Sequence, residues 1–144
     1  MIRFNTDGIP MPPINQTIVQ QWIRRVTAFY GKRVGEINYI FCDDKKILLT
    51  NQQYLQHDYF TDVITFDYSC FPVISGDIFI SLDTVRSNAE QLNIDYLTEL
   101  HRVIIHGVLH LSGQADKTEE AAKQMRRKED HALSLLSLPQ TAKQ

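Results

Sequence analysis

The stretch of sequence that decides the fold and the chemistry is His106-Gly107-Val108-Leu109-His110-Leu111-Ser112-Gly113-Gln114-Ala115-Asp116. Apart from the histidines, its first part has the apolar pattern of a helix. His106 and His110 are four residues apart, so on a helix both imidazoles reach from one face towards the same point. Asp116 follows the second glycine by three residues. Imidazole and carboxylate groups are ligands for zinc and neighbouring divalent metals, so the stretch predicts a metal site.

Two glycines in this run bear on the prediction. Gly107 inside a helix costs about 1 kcal/mol relative to alanine, which indicates that something packs close to that backbone. Gly113 fits a C′ residue in the left-handed conformation, which would reverse the chain and return Asp116 towards the histidines. Asp116 also has a structural interpretation, because residues 116–119 have the shape of a capping box with aspartate in place of serine or threonine. Spacing alone leaves both interpretations open.

The run differs from the His-Glu-x-x-His motif of zinc peptidases. In that motif the glutamate beside the first histidine is the general base, and here the position is occupied by Gly107. A peptidase reaction is therefore the least favoured hypothesis. The other histidines are predicted to be surface or structural residues. His101 lies about 140° round the helix from His106, and His57 and His131 have no partner within motif reach.

The whole chain has the size and composition of one soluble domain. Its 144 residues are enough for a hydrophobic core, and no apolar run approaches the length of a membrane span. A net charge of −2 gives no general preference for nucleic acid. The basic clusters at residues 24–33 and 123–128 are interpreted as solvated helix faces rather than binding sites. Without an export signal, Cys42 and Cys70 predict reduced thiols in a cytoplasmic protein.

Hydrophobic periodicity predicts an α/β (α+β) chain with a small mixed sheet and about five helices. The predicted strands are residues 36–42, 61–68 and 76–81. The predicted helices carry apolar stripes over residues 18–30, 47–55 and 82–92, then over a helix opened by Asp95 that holds both histidines, then over 118–136. Asp43 and Ser81 are predicted caps. The segments before Pro13 and from about Pro139 are expected to be loose.

In its motifs the chain resembles the YbeY family of bacterial metal-dependent endoribonucleases and rRNA maturation factors. That family carries His-Gly-x-Leu-His-Leu-x-Gly-x-Asp-His, and its three histidines bind one zinc ion. The positions that match are His106, Gly107, Leu109, His110, Leu111 and Gly113. Residues 61–66 are similar to the family's Thr-Asp-Val-Leu-Ser-Phe strand, and residues 76–81 to its Gly-Asp-Ile-x-Ile-Ser strand. Three motifs in one order are more specific than any one of them.

The resemblance implies a single metal-binding domain over residues 1–144 with a metalloprotease-like fold. It implies a single-strand-specific endoribonuclease that acts on RNA and ribosomal particles in 16S rRNA maturation and ribosome quality control. One divalent metal, with zinc favoured, would be bound by His106, His110 and Asp116. The aspartate stands where the family has its third histidine, which lowers the net charge of a zinc site from +2 to about +1.

A second departure from the family concerns catalysis. Tyr54-Leu55 stands where the family has Tyr-Arg, whose arginine is held to serve catalysis, and leucine cannot contact phosphate. This difference motivates an alternative hypothesis, a non-catalytic ribosome-assembly factor with a structural metal. No nucleophile or general base is assigned. Asp62 and Glu99 are the candidates for a base, each with a structural role as the alternative.

Overall fold

Four strands form one mixed sheet in the part of the chain that the computed structural model describes, residues 1–55 and 62–142. The strands are β1 (Ile2–Thr6), β2 (Arg33–Cys42), β3 (Val63–Asp67) and β4 (Val73–Ser81). Their order across the sheet is β1-β2-β4-β3. β1, β2 and β4 are parallel, while β3 pairs antiparallel with β4 at the edge. Helices connect the parallel strands, as such crossovers require.

The described ranges also contain five α-helices. They are α1 (Gln16–Phe29), α2 (Asp44–Thr50), α3 (Leu82–Leu92), α4 (Tyr96–Leu111) and α5 (Glu119–Ala142), and a short π-helical segment (Asn51–Leu55) continues α2. Side chains accept hydrogen bonds from first-turn backbone N–H groups at the starts of α2, α3 and α4. These caps are Asp43, Ser81 and Asp95, as predicted. The α/β class with a small mixed sheet and five helices is thus confirmed.

The ends of the chain differ from the sequence prediction. The N-terminal segment was expected to be loose, but Ile2–Thr6 pairs in register with residues 37–41 of β2. Ile2 is buried in the core, so this short strand is held by contacts far along the chain that a local pattern does not reveal. β2 begins at Arg33, three residues before the predicted start, and α5 extends to Ala142, past the predicted end at Leu136.

Helix α4 is fixed in the core between the sheet and the other helices. A Cβ atom placed on Gly107 would lie 3.0 Å from the Ile78 side chain of β4, which confirms the close packing that this glycine predicted. The Tyr39 hydroxyl donates a hydrogen bond to the Ile104 carbonyl at 2.8 Å. Trp22 of α1 donates its indole N–H to the Ala132 carbonyl of α5 at 2.6 Å. The contacts of Gly107 with Ile78 and of Tyr39 with Ile104 set the rotation of α4 and hence the face that its histidines occupy.

Two further predictions concern the thiols and the membrane. Cys42 is buried and Cys70 is exposed, and both are free. None of the helices in the described ranges is both long enough and apolar enough to cross a bilayer.

Candidate metal centre

The two histidines of α4 and the aspartate after it meet at one point. The rings of His106 and His110 are 4.5 Å apart between centroids and nearly perpendicular, at 86°. Asp116 Oδ2 lies 3.4 Å from His106 Nε2 and 3.2 Å from His110 Nε2. One ligand atom from each of the three residues lies within 4.8 Å of the others. The predicted ligands are therefore close enough to hold a metal ion.

The loop between α4 and α5 brings Asp116 to this position. Gly113 has φ of +101°, which is the left-handed region predicted for it. Its N–H bonds to the His110 carbonyl at 3.0 Å, and the N–H of Gln114 bonds to the Leu109 carbonyl at 3.0 Å. This pair of bonds is a Schellman motif, which ends α4 and turns the chain back.

The capping interpretation of Asp116 is not the one that the structure adopts. The first residue of α5 is Glu119, and the Thr118 hydroxyl accepts a hydrogen bond from the N–H of Ala121 at 3.0 Å. Thr118 therefore caps α5. The side chain of Asp116 is free of that role and is directed to the histidines instead.

Each histidine is oriented through its other ring nitrogen. His106 Nδ1 lies 2.6 Å from Glu129 Oε2, and His110 Nδ1 lies 3.0 Å from the Gln114 carbonyl oxygen. Both partners are acceptors, so both Nδ1 atoms carry the proton and the Nε2 lone pairs remain available for a metal. A carboxylate or carbonyl behind a histidine is the usual outer support of a metal site.

Glu129 is the residue that sequence reasoning missed. It lies on α5, 23 residues after His106, and follows the basic run 126–128, which was interpreted as a solvated face. Its side chain is buried, and Glu129 Oε1 accepts from Arg102 Nη1 at 2.9 Å. The second guanidinium nitrogen, Nη2, donates to Asp130 at 2.8 Å. No local spacing marks this network, because α4 and α5 come together only in the fold.

Charges in this network shift the pKa values in opposite directions. Burial alone would raise the pKa of Glu129, but hydrogen bonds from His106 and Arg102, with their charges, lower it. Burial would likewise lower the pKa of His106, but the hydrogen bond and charge of Glu129, followed by the charge of Asp116, raise it. Burial and the positive charge of His106 lower the pKa of His110. In the metal-free protein, His106 therefore takes up its second ring proton before His110 does as the pH falls.

The three residues line a cleft of about 720 Å³. The other lining residues include two carboxylates, Asp62 before β3 and Glu99 on α4, and two cations, Lys117 and Arg126. Burial raises the pKa of Asp62 and of Glu99. Both general-base candidates from the sequence are thus in the cleft.

The remaining predicted positions lie elsewhere. His101 packs edge-on against Trp22, with ring centroids 5.9 Å apart, and His131 contacts Phe29 at 4.6 Å. Neither lines the cleft. Leu55 is the last residue of the π-helical segment, and His57 and Thr61 lie outside the described residues.

Comparison with known proteins places this chain in a family. The family model described as Endoribonuclease YbeY matches residues 4–137. The chain belongs to the YbeY family. The Endoribonuclease YbeY of Phocaeicola vulgatus is 59% identical over 138 residues, which cover 96% of this chain and all of that protein. The Endoribonuclease YbeY of Bacteroides thetaiotaomicron is 54% identical, covering 93% of this chain and 98% of that protein.

A solved structure has a similar fold. The solution structure of TM1509 from Thermotoga maritima superposes with a TM-score of 0.68 and covers 99% of this chain and 93% of its own. The identity is 24%, so this likeness concerns the fold alone. The family model and the close relatives confirm the family resemblance found in the three motifs, whereas the roles of His106, His110 and Asp116 as ligands stay predictions.

Proposed function

We propose that this chain is a single-strand-specific, metal-dependent endoribonuclease that acts in 16S rRNA maturation and ribosome quality control. The observation that carries the proposal is the convergence of His106, His110 and Asp116 in the wall of a cleft. Relatives more than 50% identical over nearly the whole chain bear the name Endoribonuclease YbeY, which supports RNA as the substrate. The site of action would be the cytoplasm, where ribosomes are assembled.

The donor set fits one divalent metal, and we propose zinc. Two imidazole nitrogens and one carboxylate oxygen are ordinary zinc ligands, and three protein ligands leave a position open for substrate, as in catalytic rather than structural sites. The same set suits iron(II), so metal analysis of the purified protein is needed to identify the ion. The metal would act as a Lewis acid on a phosphoryl oxygen, activate water, or do both.

Two cations in the cleft are available to bind the RNA backbone. Arg126 has 57% of its side chain exposed and Lys117 is exposed, so both can contact phosphate. Arg102 also lines the cleft, but both ends of its guanidinium are bound to carboxylates. We infer that Arg102 positions Glu129 and that Arg126 and Lys117 bind phosphate.

The experiment that tests this function is cleavage of a labelled single-stranded RNA by the zinc-loaded protein. His110→Ala should abolish cleavage because it removes a ligand. His131→Ala is the matched control, since it removes a histidine outside the cleft, and it should cleave like the wild type. Equal cleavage by the wild type and His110→Ala would mean a contaminating nuclease and would refute the proposal.

The cellular role has a separate test. Cells whose chromosomal copy carries His110→Ala should accumulate 16S rRNA with unprocessed ends, which sequencing of the RNA ends would measure. The alternative, a ribosome-assembly factor with a structural metal, is motivated by Leu55. It predicts that RNA stays uncut with every metal supplement while metal removal lowers the melting temperature. Robust metal-dependent cleavage would exclude it.

A further inference from the structure

One carboxylate of the cleft is buried without a partner. Glu99 is 6% exposed, and its Oε1 atom has no hydrogen-bond donor within reach among the described residues. A buried polar atom without a partner destabilises the folded protein, and more so when it carries charge. Glu99 nevertheless lines the cleft. A group so expensive to bury, and facing a cavity, indicates that something enters the cavity to satisfy it.

The neighbours of Glu99 do not satisfy it. Asp62 is a second carboxylate in the same cleft, and after burial its charge is the next cause that raises the pKa of Glu99. The nearest cations serve other acids. Arg102 donates to Glu129 and Asp130, and Arg126 lies 3.7 Å from Glu129. The charges of Arg102 and Arg126 lower the pKa of Glu99, but neither cation donates a hydrogen bond to it. Among the described residues, therefore, no group supplies the missing partner, which must bring positive charge or donors.

The position of Glu99 separates it from the histidine site. It lies seven residues before His106 on α4, which is two helical turns and about 10.5 Å along the axis. The two side chains thus share a face of α4 without sharing a ligand position. Asp62 is close enough to His106 for each to affect the pKa of the other. A group held by Asp62 and Glu99 would occupy the same cleft as a metal on the histidines.

We propose that Asp62 and Glu99 hold a hydrated Mg²⁺ ion, separate from the ion at His106, His110 and Asp116, and that this second ion binds a phosphate of the RNA. Magnesium prefers oxygen ligands, keeps several waters, and is commonly held by one or two carboxylates together with substrate phosphates. A site with two imidazoles attracts softer metals instead. The contact to phosphate rests on the proposed ribonuclease function, whereas the cation site itself does not.

Mn²⁺ binding to the zinc-loaded protein tests the site without RNA. Electron paramagnetic resonance of free Mn²⁺ should report one bound ion per chain, which Mg²⁺ displaces. Glu99→Gln and Asp62→Asn should each weaken Mn²⁺ binding by at least about tenfold, because each removes one of the two charges that hold it. Glu90→Gln, at an exposed acid of α3 outside the cleft, is the matched control and should bind like the wild type.

Three outcomes would overturn the proposal. The first is that Mn²⁺ binds the wild type no more tightly than it binds Glu99→Gln. The second is that Mn²⁺ is lost in His110→Ala but retained in Glu99→Gln, which would place the ion at the histidines. The third is that Glu99→Gln binds Mn²⁺ like the wild type but cuts RNA with an altered preference for the bases at the cut. This would indicate that Glu99 contacts an RNA base. Should Glu99→Gln fail to fold by circular dichroism, Asp62→Asn carries the same comparison. If the wild type binds Mn²⁺ as expected but does not cleave RNA, the result counts against the ribonuclease function and not against this site.

Discussion

The substitution Glu129→Gln removes the charge that supports His106 while keeping the shape of the side chain. In the structure, one Glu129 oxygen accepts from His106 Nδ1 at 2.6 Å and the other accepts from Arg102 at 2.9 Å. Glutamine has a single acceptor oxygen, so one of these two donors must face its NH₂ group. Because Glu129 is buried, water cannot replace the lost acceptor.

The expected effect is a loss of zinc affinity. Removing an outer-shell partner of a metal-binding histidine typically weakens metal binding about 10–100-fold, or about 1.4–2.7 kcal/mol. We expect Glu129→Gln to fall in this range, since its bond to His106 is short and charge-assisted. Competition for zinc against a chromophoric chelator measures the difference directly.

The control for this measurement is Asp130→Asn. Asp130 is the other carboxylate bound to Arg102, but its side chain is 60% exposed and it does not contact His106. An exposed ion pair contributes about 0.2–1 kcal/mol, so zinc affinity in Asp130→Asn should stay near that of the wild type. Equal affinity in the wild type and Glu129→Gln would refute the reasoning, because it would mean that Glu129 does not set the ring of His106.

The same pair should show a pH window in the metal-free protein. The pKa of His106 is raised, so its contribution to stability is full below about pH 6.5, the unfolded value, and is lost as pH rises through the folded pKa. The pKa of Glu129 is lowered, so its contribution is full above about pH 4.3 and is lost as pH falls through the folded pKa. In EDTA, Glu129→Gln should therefore destabilise the protein more at pH 5.5 than at pH 8.5, as measured by urea unfolding.

Three further outcomes follow from the structure. Asp116→Ala should lower zinc affinity by more than about 100-fold, beyond the range of an outer-shell loss, and unchanged occupancy by metal analysis would remove Asp116 from the ligand set. Gly107→Ala should lower the free energy of unfolding by about 1–2 kcal/mol, because the new methyl group lies 3.0 Å from the Ile78 side chain. Urea denaturation measures this free energy, and a variant more stable than the wild type would contradict the prediction. In EDTA, Glu99→Gln should stabilise the protein by about 1–2 kcal/mol at pH 7. That gain should disappear below about pH 4.3, where Glu99 is protonated in the folded and the unfolded protein. Thermal unfolding of the wild type and Glu99→Gln at pH 7 and below about pH 4.3 measures the difference, and a gain that persists at the lower pH would contradict the prediction.

The clustering of His106, His110 and Asp116 was predictable because the geometry that joins them is local. The i, i+4 spacing of His106 and His110 places two rings on one helix face. The left-handed residue Gly113 then turns the chain within a few residues, so that Asp116 returns to that face. The choice between ligand and cap stayed open, and the structure removes the capping role because Thr118 caps α5. A site built within eleven consecutive residues needs little tertiary information.

The parts that could not be predicted depend on contacts between distant segments. Glu129 reaches His106 because α5 packs on α4, and no spacing within either helix announces that pairing. β1 also depends on a distant segment, since its five residues form a strand by pairing with β2, more than thirty residues later. The Oε1 atom of Glu99 is visible as an anomaly only once burial and hydrogen bonds are known. Sequence patterns thus predicted the elements and the cluster of His106, His110 and Asp116, but not the residues that surround this cluster.

The charges lining the cleft connect the two proposed ions to the substrate. Four carboxylates, Asp62, Glu99, Asp116 and Glu129, stand against three cations, Arg102, Lys117 and Arg126, so with neutral histidines the cleft carries net negative charge. An RNA phosphate would be repelled from such a cleft, and more strongly because burial weakens screening by salt. One divalent ion at the histidines makes the net charge of the cleft only slightly positive, since Asp116 brings a negative charge into the ligand set. A second ion at Asp62 and Glu99 would make the cleft clearly positive. RNA cleavage should therefore continue to rise with Mg²⁺ after zinc is saturating, and this dependence should be lost in Glu99→Gln.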